Sequence, residues 1–198
     1  MVPQTGLKGT GVLVAVVGPA GAGKTTLIAA ARRASAGSPA VVFPARLSTR
    51  LAGVAPSGIE VSAAEFESLE SAGTFSITWR DDERAFGVPA DVDTDLKAGR
   101  IAVVAVSRTV VARLRRIYPR VHVVYLTANR DRLVERLTVR TGTGPDYVRD
   151  RLARAGAFAL PEPPMTLIDN SGTLSEAVEE FLGVLESYLP HPLRSLDD

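Results

Sequence analysis

Residues 18–26 read GPAGAGKTT, and Lys24 within them is one of only three lysines in a chain that carries twenty arginines. Gly18, Gly23, Lys24 and Thr25 satisfy the spacing G-x-x-x-x-G-K-[ST]. The spacing has a physical cause. Glycines let successive backbone N–H groups turn inward around a phosphate, and the N-terminus of a following helix adds the positive end of its dipole. In such a loop Gly18, Pro19, Ala20, Gly21, Ala22, Gly23, Lys24, Thr25 and Thr26 together enclose the phosphates of a nucleotide. The Lys24 ammonium reaches the β- and γ-phosphates, and the Thr25 hydroxyl can ligate Mg²⁺. A glycine-rich turn without a ligand is the plainer reading, but an apolar run before the loop and helix formers after it argue against accident. The loop therefore predicts a bound nucleoside triphosphate, ATP with Mg²⁺. It does not say what receives a phosphoryl group.

The elements that must hold this loop alternate along the chain. GVLVAVVG (11–18) is an apolar run of strand type that leads through the loop into KTTLIAAARRA (24–34), rich in helix formers. AVVF (40–43), IAVVAV (101–106), VHVVYL (121–126) and MTLID (165–169) have the length and β-branched content of buried parallel strands. Helices are predicted at 108–118, 129–140, 145–156 and 173–188, the last begun by a capping box of Thr173 and Glu176. Strands alternating with helices predict an α/β fold, a five-stranded parallel sheet with helices on both faces. Residues 46–89 break the rhythm. A capping box of Ser62 and Glu65 precedes a short helix at 63–71, and TFSITW and RAFGV are short strand candidates, so the segment reads as an inserted lobe. RTGTGPD (140–146), flanked by Arg136, Arg140, Arg149, Arg151 and Arg154, reads as part of a lid over 136–156. The core is then 10–45, 90–135 and 157–189 of one domain, followed by a fraying tail.

Composition narrows the partners. A chain of 198 residues suits one domain with a sizeable core. With no cysteine there is neither a disulfide framework nor a thiolate metal site, and no signal-like or membrane-length apolar run is present. A cytoplasmic protein without a membrane partner is expected. The net charge of +1, from 23 basic and 22 acidic groups, argues against nucleic acid as a partner. The excess of arginine suits phosphate, which a planar guanidinium grips with two hydrogen bonds, although genomic composition produces the same bias.

The order of landmarks, GPAGAGKTT, RLSTR (46–50), VSAAEFESLESAGTF (61–75) and FGVP (86–89), resembles that of guanylate kinase-like P-loop kinases over almost the whole chain. Within that superfamily the chain is similar to the ribose 1,5-bisphosphate phosphokinases of phosphonate catabolism. The residues that carry this are Arg46 and Arg50 in RLSTR, Trp79 after TFSIT, Ser107 and Arg108 in VAVSR, and the segment from RLTVR (136–140) to RLAR (151–154). The resemblance implies a P-loop NTPase fold with an acceptor-binding lobe and a helical lid. It implies transfer of a phosphoryl group from ATP to ribose 1,5-bisphosphate, giving 5-phosphoribosyl 1-diphosphate. It also implies roles: Lys24, Arg140 and Arg151 at the transferring group, Arg136 at the nucleotide, and Arg46, Arg50, Trp79, Phe86, Ser107 and Arg108 at the acceptor.

A guanylate kinase carries a glutamate for the guanine edge where this chain reads FSITW (75–79), and a site without that acceptor should discriminate poorly for guanine. Arg108 stands where a carboxylate would be, which suits an extra phosphate; pairing with Glu135 is its alternative. Trp79 could stack on substrate or simply fill the lobe. PSGIE (56–60), Phe86 in place of a tyrosine, and TGTG (141–144) depart from the family pattern, so one hydroxyl that would touch phosphate is absent. Three other readings remain open: a nucleoside monophosphate kinase, a non-catalytic guanylate-kinase-like module for a phosphorylated protein, and a kinase for an unphosphorylated acceptor. The last would want a carboxylate base that no motif supplies.

Overall fold

The computed structural model describes residues 10–50, 59–81, 84–155, 165–190 and 193, with the side chains of 151, 154 and 155 outside that description. The central strand β1 (Val12–Val17) is VLVAVV and buried at every position, as befits a parallel strand covered on both faces. Its neighbours are β7 (Ile101–Ala105) on one side and β8 (Val121–Thr127) on the other; β2 (Val41–Val42) and β9 (Met165–Asp169) close the edges. The five-stranded sheet runs β2-β7-β1-β8-β9, and all its pairings are parallel.

The period of two along β1 divides the core. Val12, Val14 and Val16 face α1 (Lys24–Ala34) and α7 (Leu174–Glu186), where Leu27, Ala31, Phe181, Leu182 and Leu185 are buried. Leu13, Ala15 and Val17 face the opposite side, packed with Val92 and Leu96 of α3 (Asp91–Lys97) and Val111 and Leu114 of α4 (Val111–Ile117). The expected strands and the helices on both faces are present. The helix expected over 108–118 opens as a 3-10 turn, Arg108–Val110, before α4 begins, because Ser107 caps it by accepting from the Thr109 N–H.

The lobe is a sheet of its own, ordered β4-β3-β6-β5. It contains β3 (Leu47–Thr49), β4 (Ile59–Val61), β5 (Phe75–Arg80) and β6 (Ala85–Pro89), with α2 (Ala63–Ser71) packed through buried Phe66. The capping box of Ser62 and Glu65 starts α2 as expected. Ile77, Trp79, Phe86 and Val88 share the second core cluster, so the lobe is continuous with the α3–α4 side of the main sheet. The segment expected to form a lid is a pair of helices, α5 (Arg130–Thr141) and α6 (Pro145–Ala155), held together by Val134, Leu137 and Val148. Gly142 ends α5 in the left-handed region at φ 66°. Among the described residues no helix is long and apolar enough to cross a membrane. The tail expected to fray falls largely on residues outside the description.

Candidate active site

The loop between β1 and α1 is shaped by its glycines. Gly18 has φ 143°, and a Cβ there would lie 2.0 Å from the Leu126 carbonyl oxygen, so no side chain fits between β1 and β8. Gly23, at φ 95°, is the N-cap of α1 and offers no side-chain acceptor to the first-turn N–H groups. Those donors stay available to an anion. Lys24 bends back and its ammonium donates to the carbonyls of Gly18 and Pro19 at 2.8 and 2.9 Å. The Thr25 and Thr26 side chains lie on the exposed first turn of α1.

Around Lys24 the field is positive. Burial, and then the charges of Arg46, Arg140 and Arg108, pull its pKa from 10.5 down to about 8. A lysine amid arginines is unfavourable on its own and favourable once an anion arrives. The structure thus gathers Lys24, Arg46, Arg108 and Arg140 from the loop, the lobe, the 3-10 turn after β7 and the end of α5. It does not bring Arg50 into this group. Four residue steps along extended chain, about 13 Å, separate it from Arg46, and Arg50 instead adds to the field on Glu65 at the start of α2.

Arg46 is carried by aromatic faces. The β5–β6 register sets Trp79 opposite Phe86, and their rings stack at 5.3 Å. The Arg46 guanidinium lies 4.7 Å from the Phe86 centroid and 5.9 Å from that of Trp79, and Nη1 donates to the Ala105 carbonyl at 3.4 Å. Phe86 therefore serves as a platform for a cation, a role that a hydroxyl would not improve. Burial and the neighbouring Arg84 hold the Arg46 pKa below its usual value, with Asp81 acting the other way. Arg84 itself is held by two side chains and a backbone group: it donates to Glu60 at 2.6 Å, Ser48 Oγ at 2.7 Å and the Thr49 carbonyl at 3.0 Å.

Arg108 lies 5.8 Å from the Tyr125 ring and donates to its hydroxyl at 3.3 Å. Glu135, its alternative partner in the sequence reading, pairs with Arg132 at 3.3 Å. Ser107 is engaged in capping, with its hydroxyl 2.9 Å from that of Thr109. On α5, Arg136 Nη2 donates to the Asn170 carbonyl at 3.1 Å, while Nη1 is buried with no partner among the described residues. Arg140, one turn further on the same face, is exposed. Arg151 stands on α6, and its side chain lies outside the described residues.

Sequence reasoning passed over Tyr125, Arg84, Glu60 and Asn170. Asn170 had a usable signal, a polar residue directly after an apolar strand, at the carboxyl edge of a parallel sheet where ligands bind. Arg84 and Glu60 had none in their spacing, because strand pairing alone joins them.

The residues fit a triphosphate. The uncapped start of α1, the Lys24 ammonium and the orphaned Arg136 N–H all call for an acceptor. For Mg²⁺ the chain offers the Thr25 hydroxyl, and among the described residues no cluster of three or more His, Cys, Asp or Glu could hold a metal.

No family model matches the chain. Over 188 residues it is 39% identical to the ribose 1,5-bisphosphate phosphokinase of Rhodopseudomonas palustris, with 95% of each chain covered. It is 36% identical over 184 residues to the enzyme of that name from Bradyrhizobium diazoefficiens, covering 93% of this chain and 92% of the relative. The solved guanylate kinase of Anaplasma phagocytophilum matches the fold with a TM-score of 0.63 over 96% of this chain and 93% of that one, at 15% identity.

Proposed function

The chain belongs to the ribose 1,5-bisphosphate phosphokinase family, and on that premise we propose that it moves the γ-phosphoryl group of ATP onto the C1 phosphate of ribose 1,5-bisphosphate. The products are 5-phosphoribosyl 1-diphosphate and ADP. One observation carries the reading beyond nucleotide binding: the charges of three arginines drawn from three other parts of the chain act on Lys24, whose pKa burial first and those charges second lower to about 8. Such a concentration of positive charge suits two phosphorylated substrates meeting at one point.

This proposed division of labour is supported by position for some residues and by the family resemblance for the others. The turned N–H groups of 18–26 and the Lys24 ammonium bind and orient the donor phosphates, with Arg136 beside them. Arg46, set on Trp79 and Phe86, and Arg108, set on Tyr125, face the acceptor phosphates; Arg50 and Ser107 are assigned to the acceptor on the family resemblance alone. Arg140 approaches the transferring group, and Arg151 joins it on the strength of the family resemblance. The Thr25 hydroxyl would help to hold Mg²⁺, which would supply further neutralisation of charge. The attacking oxygen belongs to an ionised phosphate, so no base has to remove a proton. A new P–O bond forms to the γ-phosphorus as its bond to the β-phosphate bridge breaks, and ADP carries the electron pair away. Positioning and charge stabilisation supply the acceleration.

The domain reading belongs to the same proposal: residues 46–89 bind the acceptor, 136–156 close over the donor, and the remainder is the core. A coupled assay of ADP release tests the acceptor. Ribose 1,5-bisphosphate should exceed GMP in kcat/KM by at least about 10³-fold, the scale on which a missing partner for a polar base edge discriminates. A preference for GMP would overturn the assignment.

A further inference from the structure

Asn170 follows β9 directly and is only 3% exposed. Its N–H donates to the Thr127 carbonyl at 2.8 Å, which pins it at the carboxyl edge of the sheet. Its side-chain Nδ2 donates to the Ala22 carbonyl, also at 2.8 Å, across 148 residues of sequence. That bond fixes the orientation of the amide, since Oδ1 turned toward Ala22 would oppose two acceptors.

The amide occupies the room that Gly23 leaves. A Cβ on Gly23 would lie 2.5 Å from Asn170 Nδ2 and 4.0 Å from Arg136 Nη1. The main-chain carbonyl of the same asparagine accepts from Arg136 Nη2. One residue therefore touches three parts of the donor site: the loop carbonyl before Gly23, the space beside Gly23, and the lid arginine. Its Oδ1 is buried without a partner among the described residues. A buried, half-satisfied amide is costly to a fold, and an apolar side chain would pack there at less cost. The amide answers a need of the loop rather than of the core.

We propose that Asn170 is a positioning residue for the phosphate donor, holding the loop at Ala22 and Gly23 in register with Arg136 of the lid. The inference rests on the reading that the loop binds a nucleoside triphosphate, and is independent of which acceptor the enzyme uses.

Calorimetric titration of the full chain with Mg²⁺ and a non-hydrolysable ATP analogue tests it, for the wild type, Asn170→Ala and Asn170→Asp, alongside melting curves and the KM of each substrate. Loss of the donor to Ala22 should weaken the analogue about tenfold in Asn170→Ala. Asn170→Asp should weaken it further, because a carboxylate then faces the Ala22 carbonyl; if that variant fails to fold, Asn170→Ala still decides. The acceptor KM should stay within about twofold, and Arg136→Gln combined with Asn170→Ala should cost less than the product of the two single losses. Analogue affinity within about twofold of wild type, a loss confined to melting temperature, or equal losses for both substrates would each overturn the inference. Should the wild type bind the analogue yet prefer a different acceptor, the functional reading falls and this one stands.

Discussion

The loop at Lys24 and the lobe at Arg84 both bury a cation, and they hold it by opposite means. Lys24 rests on the backbone carbonyls of Gly18 and Pro19, and every charge that perturbs it is positive. Arg84 is met by the Glu60 carboxylate at 2.6 Å, with both side chains 10% exposed. The second arrangement is complete and asks for nothing more; the first has positive charge in excess. A neutralised guanidinium in a lobe is architecture, whereas an ammonium crowded by arginines is a place for an anion.

If that contrast is right, the two sites should fail differently. Lys24→Ala should lower kcat/KM by about 10³-fold or more, roughly 4 kcal/mol of transition-state stabilisation, while the melting temperature holds or rises because a strained buried charge is gone. Steady-state kinetics beside a melting curve reads both. Glu60→Ala should do the reverse, leaving Arg84 buried and unanswered at a cost of about 3 kcal/mol in urea unfolding, with affinity for an ATP analogue unchanged. Replacing Arg84 and Glu60 together by apolar residues should recover most of that stability.

Arg46 lies between the two cases, since it is shared by the lobe's aromatics and the loop's field. Arg46→Gln should raise the acceptor KM about 30-fold, or roughly 2 kcal/mol for a charged hydrogen bond, with a smaller change for ATP. The smallest effect is that of pH. The Lys24 pKa in the free protein is about 8, so its charge is present below that value and lost above it. Bound phosphates favour the charged form, so affinity for the ATP analogue should fall as pH rises through about 8, by at most tenfold per unit. Binding above that pH should take up protons, visible as a dependence of the calorimetric heat on buffer. Stability runs the other way. Because the unfolded chain keeps its proton up to about 10.5, the ligand-free fold should gain stability between about 8 and 10.5.

The same contrast governs what the sequence reveals. The loop lies in nine consecutive residues whose conformation is set locally, so GPAGAGKTT discloses both the element and its chemistry. The five core strands were legible because each is a continuous apolar run. The aromatic seat of Arg46 is assembled by pairing between β3, β5 and β6, and nothing in the spacing of Arg46, Trp79 and Phe86 announces that their side chains meet. Those residues came from family resemblance, which also grouped Arg50 with Arg46 although the strand between them carries the two apart. Helix α3 went unforeseen for a different reason. It has seven residues, too few for periodicity, although Asp91 and Asp93 in its first turn and Lys97 in its last suit its dipole. Asn170 could be marked by its place after an apolar strand, but its bond to the Ala22 carbonyl could not, because the two lie 148 residues apart.

The central claim is that the phosphoryl group ends on a phosphate of a bisphosphorylated sugar. Phosphorus NMR of the reaction of ATP with ribose 1,5-bisphosphate tests this most directly. The account expects ADP together with a new pair of mutually coupled diphosphate resonances on C1, while the 5-phosphate signal stays a single ester. Unchanged ribose 1,5-bisphosphate under conditions in which GMP is converted to GDP would contradict it.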